Sequence, residues 1–161
     1  MSITLELADQ HDIDELGRLR LAYLISDFGG ITDEQRASLE CELPAYLRMH
    51  MGKDLLVYVA RDTDDSGATE IVSCAWLLCI EKPPSPRFPH GRSGILFNVY
   101  TKEERRHQGL ASAVMRHLIE GARERQLDVV ELNATDDGYP LYCSLGFLDD
   151  SSTHKAMRMV L

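Results

Sequence analysis

The sequence predicts an α/β (mixed α+β) domain with a central mixed sheet and elements in the order β-α-α-β-β-β-α-β-α-β. Three observations carry that expectation. Several short apolar runs alternate with period two, and several longer ones recur at helical spacing. The two kinds of run interleave along the chain, as they do where helices pack on one sheet. The 161 residues show no internal repeat, low-complexity tract or linker, so a single domain over 1–161 is expected.

Residues 2–7 alternate, with Ile3, Leu5 and Leu7 on one face, and suit a first strand. Asp9 or Asp12 can cap a helix running to about Ser26, with Ile13, Leu16, Leu19, Tyr23 and Leu24 at helical spacing. Gly29-Gly30 breaks it. Thr32 and Gln35 form a capping box that opens a second helix toward His50; Pro44 is expected to bend or divide it and Gly52 to end it. Residues 55–60 make a strand and 62–67 a polar hairpin turn. A longer strand covers 70–80, with Val72, Cys74, Trp76 and Leu78 facing one way and Ile71, Ser73, Ala75 and Leu77 the other. Prolines 83, 84, 86 and 89 stiffen the next connection. Residues 95–100 form the organising strand, 102–105 a polar turn, and Leu110 onward an amphipathic helix ending near Arg125-Gln126. A strand at 128–133, a short helix at 138–145 and a final strand at 157–161 complete the chain. The crossover from 95–100 to 128–133 should be parallel and right-handed.

Composition narrows the function classes. Hydrophobic residues at 44% and charged residues at 27% are ordinary for a globular protein, and no apolar run reaches membrane-spanning length. Residues 1–4 lead into a strand and not into a signal peptide. Cys41, Cys74, Cys79 and Cys143 show no C-x-x-C pair and no metal-type spacing with the histidines. They read as reduced thiols of a cytoplasmic protein without a metal site. The net charge of −9, from 17 basic and 26 acidic residues, argues against general nucleic-acid binding. Against that background Lys102, Arg105, Arg106 and His107 form a local basic cluster where an anion is expected.

That cluster sits where the organising strand gives way to the helix. The first turn of a helix has N–H groups without intrahelical partners and a dipole that favours negative charge. Gly109 lets a ligand approach the backbone, Ala111 and Ser112 keep the approach open, and Arg106 can add a charge-assisted contact. A phosphate or pyrophosphate is the implied ligand. Neither G-x-x-x-x-G-K-[ST] nor G-x-G-x-x-G after a strand is present, which excludes the two better-known phosphate cradles. Ligands in such sheets bind at the carboxyl ends of the strands, where residues 106–112 lie.

Element order and two motifs together resemble the GNAT superfamily of acyl-CoA-dependent N-acetyltransferases. The signature [Q/R]-x-x-G-x-[G/A] is met by Arg106-His107-Gln108-Gly109-Leu110-Ala111, and L-Y-x-x-L-G-F by Leu141-Tyr142-Cys143-Ser144-Leu145-Gly146-Phe147. The resemblance is clearest over residues 71–147. It implies that backbone amides around His107, Gly109, Ala111 and Ser112 cradle the pyrophosphate of acetyl-CoA, with Gln108 and Leu110 in the same loop. It implies that Val99, Tyr100 and Thr101, at the end of the organising strand, meet the pantetheine arm, chiefly through the backbones of Val99 and Thr101. That strand and 129–133 should splay apart, with Asn133 and Thr135 beside the gap.

The implied reaction is direct acetyl transfer to a primary amine, with Tyr142 as the acid that protonates the departing thiolate. An ammonium must first lose a proton. Many relatives keep a carboxylate on the central strand, but residues 94–100 have none. Asn98 could position a water, Glu81 is the nearest plausible base, and Asp27 is another. Cys143 has no evident histidine partner and is read as packing. The acceptor is expected to be a cationic small molecule or peptide, because Asp27, Asp33, Glu34, Glu40 and Glu42 cluster on the N-terminal helices. Homodimers are common among relatives, although the sequence carries no interface signal. A catalytically inactive acyl-CoA-binding regulatory module is the alternative. An interaction domain built on the proline-rich loop would leave residues 106–112 unexplained.

Overall fold

The computed structural model describes residues 2–161. Five strands, β1 (Ser2–Leu7), β2 (Leu55–Thr63), β3 (Thr69–Glu81), β4 (Arg92–Thr101) and β5 (Val129–Glu131), lie side by side in that order. The first four are antiparallel neighbours, and β5 joins β4 in parallel after a helical crossover. Four helices complete the fold: α1 (Ile13–Phe28), α2 (Asp33–His50), α3 (Leu110–Glu124) and α4 (Tyr139–Ser144).

The period-two pattern divides β2 between two apolar layers. Leu56, Tyr58 and Ala60 face α3, meeting Leu110, Val114, Met115, Leu118 and Ala122. Leu55, Val57 and Val59 face the opposite way, against Ile13, Leu16 and Leu19 of α1 and Leu47 of α2. The sheet is therefore the middle of three layers. The close seat of α3 depends on Gly121, where a Cβ would collide with the ring and hydroxyl of Tyr58.

The capping box forms as expected: Gln35 N donates to Thr32 Oγ1 at 3.1 Å and Thr32 N to Gln35 Oε1 at 2.9 Å. Pro44 does not divide α2, which runs on through it with one backbone bond forgone. Two bulges alter the faces read from the sequence. Ala60 pairs with Ser73 but Arg61 with Ile71, so β3 carries one extra residue. Val72 consequently shares a face with Ala75 and Leu77, and Ile71 with Cys74 and Trp76. An inserted residue inverts the alternation on either side of it, which a strict period cannot anticipate.

The final strand expected at 157–161 is absent. Met157, Met159, Val160 and Leu161 are exposed, and no described residue pairs with them. Alternation gives a segment strand propensity, but a strand also needs a partner edge. β5 also falls short of 128–133, ending at Glu131.

Candidate active site

The structure leaves the start of α3 open. Gly109 is the N-cap at φ 78°, with no side-chain cap and no acid in the first turn, so the leading N–H groups face outward unpartnered. His107, at φ 60°, is also left-handed. Left-handed residues in such a loop curl successive N–H groups into an anion-binding concavity. A Cβ at Gly109 would meet nothing within 4 Å, so the space above the turn is free. Ala111 and Ser112 are half-buried beside it, whereas the Leu110 side chain is buried in the core and leaves its backbone alone for a ligand.

The basic cluster splits into two roles. Lys102 pairs with Glu70 at 2.7 Å and Arg105 with Asp62 at 2.6 Å, both across to the β2–β3 hairpin. Arg105 also donates to Gln108 Oε1 at 3.3 Å, and Gln108 Nε2 to the Glu104 carbonyl at 3.3 Å. These side chains brace the loop. Arg106 donates through Nε to the Thr101 carbonyl at 3.2 Å, with its guanidinium 6.0 Å from the centre of the Tyr100 ring. Its contact with Glu103 is a loose 3.9 Å at the surface. Arg106 is therefore the cation left for an anion, with the His107 ring beside it.

β4 supplies the adjoining edge. It pairs with β5 only at Ser93, Gly94 and Ile95; beyond Ile95 that edge has no strand partner. Cys74 pairs with Tyr100 but Trp76 with Phe97, so β4 carries an extra residue, and Asn98 takes φ 51° there. The Tyr100 carbonyl accepts from Ser73 Oγ and Lys102 N donates to the Val72 carbonyl, so both face β3. Successive strand residues alternate in direction, which turns the N–H and C=O of Val99 and Thr101 toward the open edge. The Tyr100 backbone is thus spent on β3. The free edge and the helix start meet at Arg106, and together they fit an extended ligand that ends in phosphates.

Tyr142 lies on α4, half-buried, its ring edge-on to Phe147 at 5.9 Å and packed against Gly138. Its hydroxyl has no hydrogen bond to any described residue. Burial, reinforced by Tyr23, pushes the hydroxyl above its ordinary value of 10.0. It remains a proton donor at neutral pH. Tyr139 is exposed and donates to Asp149 at 3.0 Å, so it does not join Tyr142 in a pocket. Cys143 is also exposed.

Other sequence candidates are placed elsewhere. Glu81 pairs with Arg92 at the opposite end of β4, six residues from Asn98 and so about 20 Å away along the strand. The antiparallel turn-around of β3 puts it there, and it cannot act as the base. The Asn98 side chain is buried and committed: its Oδ1 accepts from Arg20 at 3.2 Å and its Nδ2 donates to Cys74 Sγ at 3.6 Å. It does not hold a water over the cleft. Asn133 is exposed past the end of β5, and Thr135 is occupied in accepting from Gly138 N at 3.2 Å. Sequence reading passed over Arg20 and Asp62. The signal for Arg20 was a charge among the inward positions of α1; for Asp62 it was an acid at the end of an apolar strand.

Comparison with known proteins agrees with this geometry. The family model described as an acetyltransferase (GNAT) domain matches residues 44–148. A predicted acetyltransferase of Clostridium acetobutylicum solved with acetyl-CoA is similar at TM-score 0.79 and 26% identity, over 97% of this chain and 96% of that one. A GCN5-related N-acetyltransferase of Ralstonia eutropha has TM-score 0.76 and 22% identity, over 97% and 99%. A ribosomal-protein-alanine N-acetyltransferase of Brucella melitensis has TM-score 0.70 and 21% identity, over 99% and 100%. The latter two likenesses are of fold alone. No curated protein matches the chain. No described helix is long and apolar enough to cross a membrane.

Proposed function

The chain belongs to the GNAT acetyltransferase family, and from that premise we propose that it transfers an acetyl group from acetyl-CoA directly to a primary amine. One observation carries the reading: the uncapped, acid-free start of α3 adjoins the stretch of β4 that has no strand partner. The N–H groups following Gly109, with Arg106 and His107, hold the pyrophosphate. The Val99 and Thr101 backbones hold the pantetheine arm as a neighbouring strand would. When bound, acetyl-CoA supplies the acetyl group as an activated thioester.

Tyr142 holds its proton at the hydroxyl and donates it where the thiolate departs. The acceptor ammonium must lose a proton before its nitrogen can attack. Asp27, close enough to Tyr23 and Arg20 to influence both, is the carboxylate on this side that can relay the proton to water.

Calorimetry with acetyl-CoA tests the cradle, comparing wild type with Gly109→Glu, which places an anion among the phosphates. Wild-type binding that the substitution removes, together with thiol release on adding amines, is expected. Binding without thiol release from any amine would favour an acyl-CoA-binding regulatory module. No wild-type binding would defeat both readings.

A further inference from the structure

The inward face of α1 carries one guanidinium that the protein does not neutralise. Arg20 donates through Nη1 to Asn98 Oδ1 at 3.2 Å, and that is its one hydrogen bond among the described residues. Its carbon Cζ lies 5.5 Å from the centre of the Tyr23 ring, 5.6 Å from Phe97 and 5.8 Å from Trp76. None of the described carboxylates forms an ion pair with it. The chain's other sheltered arginines are treated differently. Arg61 meets Glu6 and Asp12, and Arg105 meets Asp62. A cation withdrawn from water with no carboxylate in ion-pair contact is costly; Asp27 acts on it only from a distance, and the rings beside it offset part of the cost. Four of its five N–H donors have no acceptor among the described residues.

Its place in the fold says what the unused donors face. Asn98 is the bulge residue of β4, where the strand's free edge begins to open toward the transfer site. Tyr23, one helical turn after Arg20, stands near enough to Tyr142 to raise that hydroxyl. Arg20 thus reaches the bulge from the α1 side of the sheet, the face opposite α3, and its neighbour Tyr23 is close enough to act on the candidate acid. A guanidinium set against ring faces makes its other contacts through its N–H edge, by which arginine can grip two oxygens at once.

We infer that Arg20 recognises an anionic oxygen group, a carboxylate or a phosphate, carried by the acceptor amine. The inference rests on the acetyltransferase reading and narrows it. The substrate class becomes amino acids, amino phosphates or peptides with a nearby carboxylate, and polyamines are excluded. The amine expected from the acidic N-terminal helices keeps its positive charge and gains an anionic partner group.

Trp76 is the chain's single tryptophan and lies against Arg20, so its fluorescence reports occupancy without requiring turnover. Wild type saturated with coenzyme A is titrated with matched probes: glycine and alanine against their amides, and O-phosphoethanolamine against ethanolamine. The member of at least one pair that carries the anionic group should bind roughly ten- to a hundredfold more tightly. The pair that discriminates tells carboxylate from phosphate. Arg20→Met should erase the preference and Arg20→Lys retain part of it, with coenzyme A affinity unchanged in both. A merely structural Arg20 would lower thermal stability without altering the ratio within any pair. Equal affinities within every pair in wild type overturn the inference, as does a preference undiminished in Arg20→Met. Preference for the anion-bearing probe without thiol release sustains the anion site and defeats the transferase reading. Thiol release from amines with and without the anionic group at equal kcat/KM does the reverse.

Discussion

The neighbours Arg105 and Arg106 should respond to the same substitution in opposite ways. Arg105 is 16% exposed and its partner Asp62 5%, and the two meet at 2.6 Å. Removing one partner of such a sheltered pair leaves the other charge stranded, at a cost of about 3–5 kcal/mol. For a domain of this size each kcal/mol is worth roughly 2–4 °C, so Arg105→Gln should lower Tm by about 6–20 °C. Arg106 is 42% exposed, and its nearest acid, Glu103, stands 3.9 Å away at the surface. Its loss should leave Tm within about 1–2 °C of wild type, as for an ordinary surface change. A hydrogen bond to a charged group contributes about 1.5–3 kcal/mol, so Arg106→Gln should weaken acetyl-CoA binding roughly ten- to hundredfold. Calorimetry for affinity and thermal unfolding for stability, both at one fixed ionic strength, separate the two effects. Unchanged affinity in Arg106→Gln, or an Arg105→Gln that keeps its Tm but loses acetyl-CoA, would refute the division of labour.

Tyr142→Phe should reduce kcat by about 10²–10⁴ and leave acetyl-CoA affinity intact, read by thiol release and calorimetry. Because burial raises the Tyr142 hydroxyl above 10.0, its acid form persists to higher pH than that of a free tyrosine. Wild-type kcat should therefore show no fall assignable to this group below about pH 10; a fall near neutrality that Tyr142→Phe removes would contradict the assignment. Gly121→Ala should cost about 1–3 kcal/mol by overpacking against Tyr58, more than its gain in helix propensity. Urea unfolding reads this, and a more stable variant would show that α3 does not seat on Tyr58 as described.

Much of the fold could be read because local signals and tertiary packing agree. Thr32 and Gln35 announced α2, and the amphipathic pattern from Leu110 onward announced α3. The cradle was readable too, since Gly109 and its basic neighbours lie together in sequence. What escaped depends on partners far along the chain. Nothing local separates Arg105 from Arg106; Asp62, 43 residues away, does that. Arg20 gains its meaning from Asn98, 78 residues on. The face of Val72 turns on one residue inserted in β3, and Glu81 is removed from the site by the antiparallel return of its strand. The apolar tail at 157–161 has strand composition, but no described edge receives it.

The irregularity of β4 ties these features into one device. An uninterrupted ladder between β4 and β5 would satisfy every backbone group on that edge and leave nothing for a ligand. Instead pairing stops after Ile95, and three residues later the bulge turns Asn98 to the same side as Phe97. One inserted residue therefore does two things. It sends the Asn98 amide to meet Arg20 on α1, and it resets the alternation so that Val99 packs toward α3 while Tyr100 returns to the α1 side. An orphaned strand edge costs stability and invites unwanted pairing. Here the opening adjoins an uncapped helix start and, through Asn98, an arginine that no described carboxylate pairs with, two further places where groups are left open. Unpartnered groups of three kinds, all on or beside this one strand, are better explained by ligands that complete them than by independent lapses in packing.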